Sequence, residues 1–472
     1  MAGRTEYAKA SAFDASPLLA RMAGLSRDEL EALQLFKLRK LLARLHANSP
    51  YYQRRMDTAK LTADNVKSVA DFCARFPVST KADFMADQAE HPPFGHRLSI
   101  PREQVALVNT TGGTSGQGQE IYGRSQRDVH TQGYFHALPW FMAGLRPGQI
   151  AVNCVPAGGM TTGGWGPGEG LRIIGATAFH VGGGTLTTDS VVDLMVRIRD
   201  VSFIYASTNF LHRLTQCMLK RGSTPREWFP NMKGLFIAAE GYPVEWAQKI
   251  EEHWGCTLHE GYGSTQCAGF GASTPGSVAP ADGSRGLMRL FEWENIFEIL
   301  NPETGQPVKS GEVGELVVTN LSIEGSPVVR FRSGDAARFV DYKEAGGGMA
   351  WQAIESGTIG RYDDMMKIRG NNVWPSSVDG CVFAHPEIVE YIGRVYTTND
   401  GKTEVEVRVA FTDHPAPCAE AERHRIIGTL KQAIKQRTNV NMAVVEVARV
   451  DLPEFTYKAR RWKDERQQGY QL

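Results

Sequence analysis

From Val108 to Gly123 the chain reads Val-Asn-Thr-Thr-Gly-Gly-Thr-Ser-Gly-Gln-Gly-Gln-Glu-Ile-Tyr-Gly, with hydroxyl residues and glycines alternating inside an apolar frame. A loop of this composition can turn its backbone N–H groups inward and wrap a phosphate chain. Glycine adopts positive φ and carries no Cβ to hold the phosphate away. Thr110, Thr111, Thr114 and Ser115 add neutral donors around Gly112, Gly113 and Gly116. Taken alone, such a loop is more often a glycine-rich hairpin turn. It fits neither the Walker pattern nor the dinucleotide fingerprint, because Lys-Ser/Thr and the third spaced glycine are missing.

Its weight comes from five later stretches. Ala239-Glu240-Gly241-Tyr242-Pro243 ends a short apolar run, and His259-Glu260-Gly261-Tyr262-Gly263-Ser264-Thr265-Gln266 follows. Arg330-Phe331-Arg332-Ser333-Gly334-Asp335 and Gly360-Arg361-Tyr362-Asp363 come next, and Glu454–Arg460 brings Lys458 close to the C-terminus.

The elements that must hold these stretches are legible. Ser26 and Glu29 form a capping box, and Leu30, Leu33, Leu38, Leu41, Leu42 and Leu45 follow at helical spacing. Residues 1–25 read as loosely ordered, and a polar, helical stretch leads to Pro101. Asp128–Gly144 is a helix rich in aromatics, among them Tyr134, Phe135, Trp140 and Phe141. That stripe is either core packing or one wall of an aromatic pocket. Ile150–Val155, Thr177–Val181, Ser202–Tyr205 and Leu235–Ala238 are short apolar runs that alternate with helical ones. The alternation predicts an α/β sheet with largely parallel strands, which bind ligands at their carboxyl ends.

Phe297–Leu300, Glu315–Thr319 and Val328–Phe331 predict strands of a β-rich subdomain. Beyond Asp363 the character changes: Tyr391–Thr397 and Glu404–Phe411 flank the hairpin signal Asn399-Asp400-Gly401. A helix from about Ala419 to Arg437 and a strand Ala443–Val450 complete a small α+β unit. The expected fold is α/β, with a large N-terminal domain over residues 1–362 and a small C-terminal domain over 363–472.

Composition narrows the function classes. Lys+Arg and Asp+Glu each number 52, so no net field draws the chain to nucleic acid or to a membrane surface. Hydrophobic content of 42% is that of a globular protein, and no apolar run approaches a membrane span. Seven scattered cysteines and an N-terminus without an apolar h-region predict a reduced, cytoplasmic protein.

Together, in this order, the motifs resemble the adenylate-forming superfamily of acyl- and aryl-CoA ligases and adenylation domains, with phenylacetate-CoA ligases the nearest likeness. The resemblance runs from about Leu25 onward. It includes Ser26–Leu33, Pro101-Arg102-Glu103-Gln104-Val105, Asn301-Pro302-Glu303-Thr304-Gly305 and Gly314-Glu315-Leu316-Val317.

The resemblance implies an ATP-dependent ligase that forms an acyl-adenylate and passes the acyl group to CoA. On this reading Thr111, Gly112, Gly113, Thr114, Ser115 and Gly116 hold the ATP phosphates. Ala239, Glu240 and Gly241 with Gly261, Tyr262, Gly263 and Ser264 frame the adenine. Asp335 takes the ribose hydroxyls, a task suited to a carboxylate because it accepts two hydrogen bonds at once. Arg361, Thr265 and Lys458 are the implied catalytic residues, with Lys458 offsetting charge at the α-phosphate. Lys367 joins the nucleotide set, and Asp363 is the implied hinge. The carboxylic acid, expected to be aromatic, is bounded by Tyr134, Phe135, Phe141, Ala238 and Gly263. ATP, Mg²⁺ and CoA are the implied cofactors, and a homodimer the implied assembly.

Two positions depart from the family pattern. Gln117 stands where a lysine is usual, and Gln266 where a glutamate, a Mg²⁺ ligand, is usual. Gln266 still offers a carbonyl oxygen to the metal, with Glu294 as the candidate substitute. Cys256, His259 and Cys267 resemble part of a structural zinc site without a fourth ligand, so free thiols are the expectation. Two other functions share the same residues: adenylation with transfer to an amine, other acceptor or carrier-protein thiol, and non-catalytic nucleotide binding.

Overall fold

The computed structural model describes residues 13–111, 119–156, 161–182, 186–238, 242, 244–274, 285–369, 371–398, 402–412, 418–455 and 461–466. Within the segment that reads as loose in sequence, Ser16–Ala23 forms a helix, α1. Ala15 and Met22 bury against Leu30, Phe141, Phe291, Trp293 and Trp351. Tertiary burial therefore holds a helix too short to stand alone.

The Ser26 hydroxyl accepts from the Glu29 N–H, and Glu29 accepts from the Ser26 N–H at 2.8 Å, opening α2 (Arg27–Asn48) with the expected box. Its leucines Leu30, Leu38, Leu41, Leu42 and Leu45 are buried. The polar stretch that follows divides into α3 (Pro50–Ala59), α4 (Val69–Arg75) and α5 (Lys81–Glu90), capped by the hydroxyls of Ser49, Ser68 and Thr80. An antiparallel pair, β1 (Leu107–Thr110) and β2 (Ile121–Arg124), brackets the glycine loop, and α6 (Gln126–Met142) follows.

The centre is a βα alternation: β3 (Ile150–Pro156), α7 (Thr162–Ile174), β4 (Thr177–Gly182), α8 (Thr188–Ile198), β5 (Val201–Ala206), α9 (Thr208–Lys220), α10 (Pro225–Trp228), β6 (Gly234–Ala238), α11 (Val244–Trp254) and β7 (Leu258–Ser264). The strands pair in parallel in the order β4-β3-β5-β6-β7. Beyond β7 the same sheet turns antiparallel through β8 (Gly269–Ser273), β9 (Leu287–Leu290), β10 (Asn295–Leu300), β11 (Val313–Asn320), β12 (Phe331–Val340), β13 (Ala353–Glu355) and β14 (Gly360–Arg361).

The strand predicted over Val328–Phe331 starts only at Phe331. Arg330 sits at φ 41°, and its carbonyl accepts from the Ser79 N–H at 2.8 Å, so the ladder cannot extend backward. The Arg330–Glu298 ion pair at 2.7 Å fixes that kink.

Residues after β14 build a separate core around Ile368, Val378, Tyr391, Val407, Leu430 and Ile434. Its elements are β15 (Met366–Ile368), β16 (Asn371–Val373), α12 (Pro375–Val382), β17 (Ile388–Thr397), β18 (Thr403–Phe411), α13 (Glu420–Thr438), β19 (Ala443–Glu446) and β20 (Trp462–Asp464). The sheet order is β19-β18-β17-β20. The strand expected to reach Val450 ends at Glu446, and Arg449–Asp451 forms a 3₁₀ turn. Among the described residues no helix is long and apolar enough to cross a membrane.

Candidate active site

Strand pairing delivers the first cluster. β12 and β14 set Asp335 opposite Arg361 in register. Arg361 Nη1 donates to Asp335 Oδ1 at 2.9 Å and to the Ser333 carbonyl at 3.0 Å. On the other oxygen, the Tyr262 hydroxyl donates to Asp335 Oδ2 at 2.9 Å. Burial, reinforced by the Asp335 charge, pushes the Tyr262 phenol well above its ordinary value, so it stays a neutral donor. Residues from three separate motifs thus meet at one carboxylate. Each oxygen keeps a further lone pair, enough for a vicinal diol.

A second cluster lies at the feet of the glycine loop. Thr111 N–H donates to the Glu120 carbonyl, and Glu120 N–H to the Thr111 hydroxyl, both at 3.1 Å. Glu120 is fully buried and accepts from the Tyr122 hydroxyl at 2.8 Å and from Gln266 Nε2 at 3.0 Å. The buried Arg124 guanidinium donates to the carbonyls of Thr265 at 2.7 Å and Ser326 at 3.0 Å. The Thr265 hydroxyl accepts from the Thr162 N–H at 3.4 Å, at the start of α7. Ser264 Oγ accepts from the Cys267 N–H at 3.1 Å, closing the turn that presents Gln266. Sequence reasoning passed over Glu120. The available signal was an acid beside the apolar pair Ile121-Tyr122, in a chain whose usual glutamate at 266 is an amide.

The third cluster is apolar. Ala238 lies beside Gly261 across β6 and β7, and Gly263 pairs with Phe270 across β7 and β8. Close approach demands both glycines. A Cβ at Gly263 would come 2.5 Å from the Gly269 carbonyl oxygen, and one at Gly261 would come 2.8 Å from the Phe236 ring. Phe135 presses on Gly269, where a Cβ would meet it at 2.8 Å. Rings of Trp140, Tyr205, Phe236 and Phe270 pack behind at tilted and edge-on angles, with Trp140–Tyr205 centroids at 5.2 Å and Phe236–Phe270 at 5.3 Å. Burial lowers His136, beside Phe270, to about 4, so it is neutral. Tyr134 packs between Phe13 and Phe135 with its hydroxyl buried and, among the described residues, unbonded. Phe141 is not brought to this edge. It meets Phe13 at 5.6 Å and carries Arg146 over its ring at 3.9 Å, in the cluster with Trp293 and Trp351. Every apolar residue on one helix looks alike in sequence; the helix turn sends Phe135 and Phe141 to different faces.

Other predicted residues have different neighbours. Glu294 forms an ion pair with Lys37 at 3.1 Å and accepts from Ser322 Oγ, and the structure does not bring it to Gln266. Cys256 packs on the core of the parallel strands, whereas Cys267 belongs to the core beneath α2–α5. With His259 they converge on no metal: among the described residues no group of three or more His, Cys, Asp or Glu side chains fits one. Lys367 is exposed on β15, and its carbonyl accepts from Arg466 Nη1 at 2.7 Å. Asp363 falls in the 3₁₀ turn Tyr362–Asp364 between β14 and β15.

Gly112, Gly113, Thr114, Ser115, Gly116, Ala239, Glu240, Gly241 and Lys458 lie outside the described residues. The flanks of the Lys458 segment are fixed. The Phe455 carbonyl accepts from Arg213 Nη1 at 2.5 Å and from Asn209 Nδ2 at 3.4 Å, both on α9. On the far side, Arg461 pairs with Glu390 at 2.7 Å and stacks on Phe455 at 5.5 Å.

Residues 58–323 match the model of the AMP-binding enzyme family, and residues 370–466 that of the AMP-binding enzyme C-terminal domain. A phenylacetate-coenzyme A ligase of Thermus thermophilus is 31% identical over 394 residues, covering 82% of this chain and 83% of that one. The Escherichia coli K12 phenylacetate-coenzyme A ligase is 27% identical over 439 residues, covering 92% and 95%. Among solved structures, 2-hydroxyisobutyryl-CoA ligase in the postadenylation state, in complex with 2-HIB-AMP, superimposes with a TM-score of 0.82. That match has 23% identity and covers 95% of this chain and 92% of the other.

Proposed function

The chain belongs to the AMP-binding enzymes, and we propose that it is an AMP-forming ligase joining a small aromatic carboxylic acid to CoA. ATP activates the acid as an acyl-adenylate with release of pyrophosphate, and the CoA thiol then displaces AMP. The intermediate mixed anhydride replaces a poor leaving group by AMP.

The observation that carries the reading is the convergence of Tyr262, Asp335 and Arg361. Asp335 accepts the ribose hydroxyls, while Arg361 and Tyr262 hold its carboxylate in one orientation. Tyr262, Gly261 and Gly263 with residues 239–241 border the adenine. Thr111 and the glycine loop, anchored through Glu120, take the phosphates. Lys367 completes the nucleotide set.

Mg²⁺ fits here as a hard cation among oxygen donors, with the Gln266 carbonyl its protein ligand; bound with ATP it would offset charge on the phosphates. Thr265, held by Arg124 and Thr162, faces the same turn. Lys458 brings a fixed point charge to the α-phosphate as the carboxylate attacks. The domains divide into 1–362 and 363–472, turning about Asp363 so that Lys458 leaves before CoA enters. The acid lies against Phe135, Ala238 and Gly263, backed by Phe236 and Phe270. These flat walls support an aromatic substrate.

We extend the reading to a cytoplasmic homodimer. Seven cysteines scattered through the chain suit a reducing compartment, and sedimentation decides the assembly.

The test is ATP–pyrophosphate exchange across a panel of aromatic acids, followed by mass spectrometry with and without CoA. The reading requires acid-dependent exchange and a thioester formed only with CoA. Exchange without thioester would turn the proposal toward another acceptor, and no exchange with any acid would sink it.

A further inference from the structure

The unit built from residues 366–466 rests on α9 and α11 of the larger one. Asn209 and Arg213 of α9 hold the Phe455 carbonyl. Between them on the helix, His212 lies half-buried, its ring 6.2 Å from that of Phe383 at the C-cap of α12. From α11 the Trp246 indole N–H donates to His212 Nδ1 at 3.2 Å. Arg461 closes the contact from the other side, over the rings of Phe383 at 5.0 Å and Phe455 at 5.5 Å.

The Trp246 bond fixes the state of the imidazole. An indole N–H only donates, so Nδ1 must be the acceptor nitrogen and the ring proton sits on Nε2. A second proton would set a donor against a donor. The surrounding charges act in the same direction. Burial first, then Arg461 and Arg213, lower His212 from 6.5 to about 4. The acids of the contact are engaged elsewhere. Glu390 is taken by Arg461 at 2.7 Å, Asp379 accepts from the Tyr391 hydroxyl at 2.6 Å, and Glu454 acts on Arg213. Lys249 of α11 adds further positive charge beside His385, just beyond α12.

We propose that His212 is a positioning residue for adenylation: as a neutral imidazole it seats the C-terminal unit on α9 and α11, and its protonation unseats that unit. The proposal rests on the ligase reading above, in which the unit changes arrangement between the half-reactions. Phe383 and Arg461 move with it, whereas Trp246 and Arg213 stay. Once uncovered, the His212 ring can swing from the indole into water, where it takes a proton near its ordinary 6.5. Seating therefore expels a proton. Its stability is complete above pH 6.5 and falls about tenfold per pH unit below that, down to about 4. The first half-reaction, which needs the seated arrangement, is lost in acid before the second.

The test assays the two half-reactions of the full chain separately between pH 5 and pH 8. One is ATP–pyrophosphate exchange, the other thioester formation from presynthesised acyl-adenylate and CoA. The ratio of the first to the second should fall roughly thirtyfold from pH 7.5 to pH 5. His212→Asn keeps an acceptor oxygen for Trp246 and takes no proton, so its ratio should lose that fall. Nucleotide and pyrophosphate titrate alike with both proteins, so the difference belongs to His212. Hydrogen exchange in α12 reads the seating with no substrate present. Corrected for intrinsic rates, protection at pH 5.5 should drop below that at pH 7.5 in the parent and not in His212→Asn.

Superimposable pH profiles of parent and His212→Asn would overturn the inference. Should that variant not fold, Trp246→Phe removes the donor that forbids the second proton, and an undiminished acid loss there would overturn it equally. So would α12 protection in the parent that is the same at both pH values. A parent that exchanges pyrophosphate with no acid, yet keeps the pH contrast in α12, would instead overturn the ligase reading and leave the proton-dependent seating standing.

Discussion

Removing the Asp335 carboxylate would leave two donors, Tyr262 and Arg361, without their acceptor and deprive the ribose of its own. Asp335→Ala should weaken ATP binding by about 2 kcal/mol or more, since charged hydrogen bonds in a partly buried site are lost. Calorimetric affinity equal to the parent's would refute the assignment. Glu260 provides a different residue-level test. It accepts from the Tyr242 hydroxyl at 2.8 Å and the Gly357 N–H at 2.9 Å, and burial pushes its carboxyl from 4.5 up to about 7. A raised value means that the folded protein holds the proton where the unfolded chain has released it. This contribution is therefore fully present below pH 4.5 and lost as pH rises to about 7. Its size is on the order of 3 kcal/mol. Glu260→Gln should remove that slope, so parent and variant urea stabilities should diverge between pH 5 and pH 8. Parallel pH curves would show that Glu260 is ionised throughout.

Elements explain why some of this was legible in sequence and some not. The parallel strands were readable because short apolar runs alternate with helical ones, and the motifs fall where those runs end. Arg330 was not, because its left-handed backbone comes from a bond to Ser79 more than 200 residues away in sequence. The helix α1 depends on aromatics of equally distant segments. Glu120 escaped because one acid beside two apolar residues has no pattern until Gln266 is set against it. The α9 helix makes its own prediction. Arg213 and Asn209 hold the Phe455 carbonyl, three residues before Lys458. Arg213→Ala should slow adenylation roughly tenfold, the consequence of a misplaced charge-stabilising group. Thioester formation from presynthesised acyl-adenylate should stay at the parent rate. Equal losses in both steps would mean that Arg213 serves stability alone.

At the scale of the whole molecule, the proposed function has one sheet build a nucleotide and acid site and a separately cored unit bring a lysine to it. Among the described residues, the core cluster spanning residues 366–444 has no member in common with the others, and Asp363 stands in the turn between. Asp363→Pro, by fixing φ at that turn, should trap one arrangement and impair the second half-reaction more than the first. The most direct measurement is on Lys458→Ala, with the two half-reactions assayed separately. ATP–pyrophosphate exchange should fall roughly a hundredfold or more, as on losing one preorganised charge-stabilising donor. ATP affinity should change little, because the contact is made in the transition state. Given presynthesised acyl-adenylate and CoA, the variant should form thioester at nearly the parent rate. Full pyrophosphate exchange in Lys458→Ala would contradict the account at its centre.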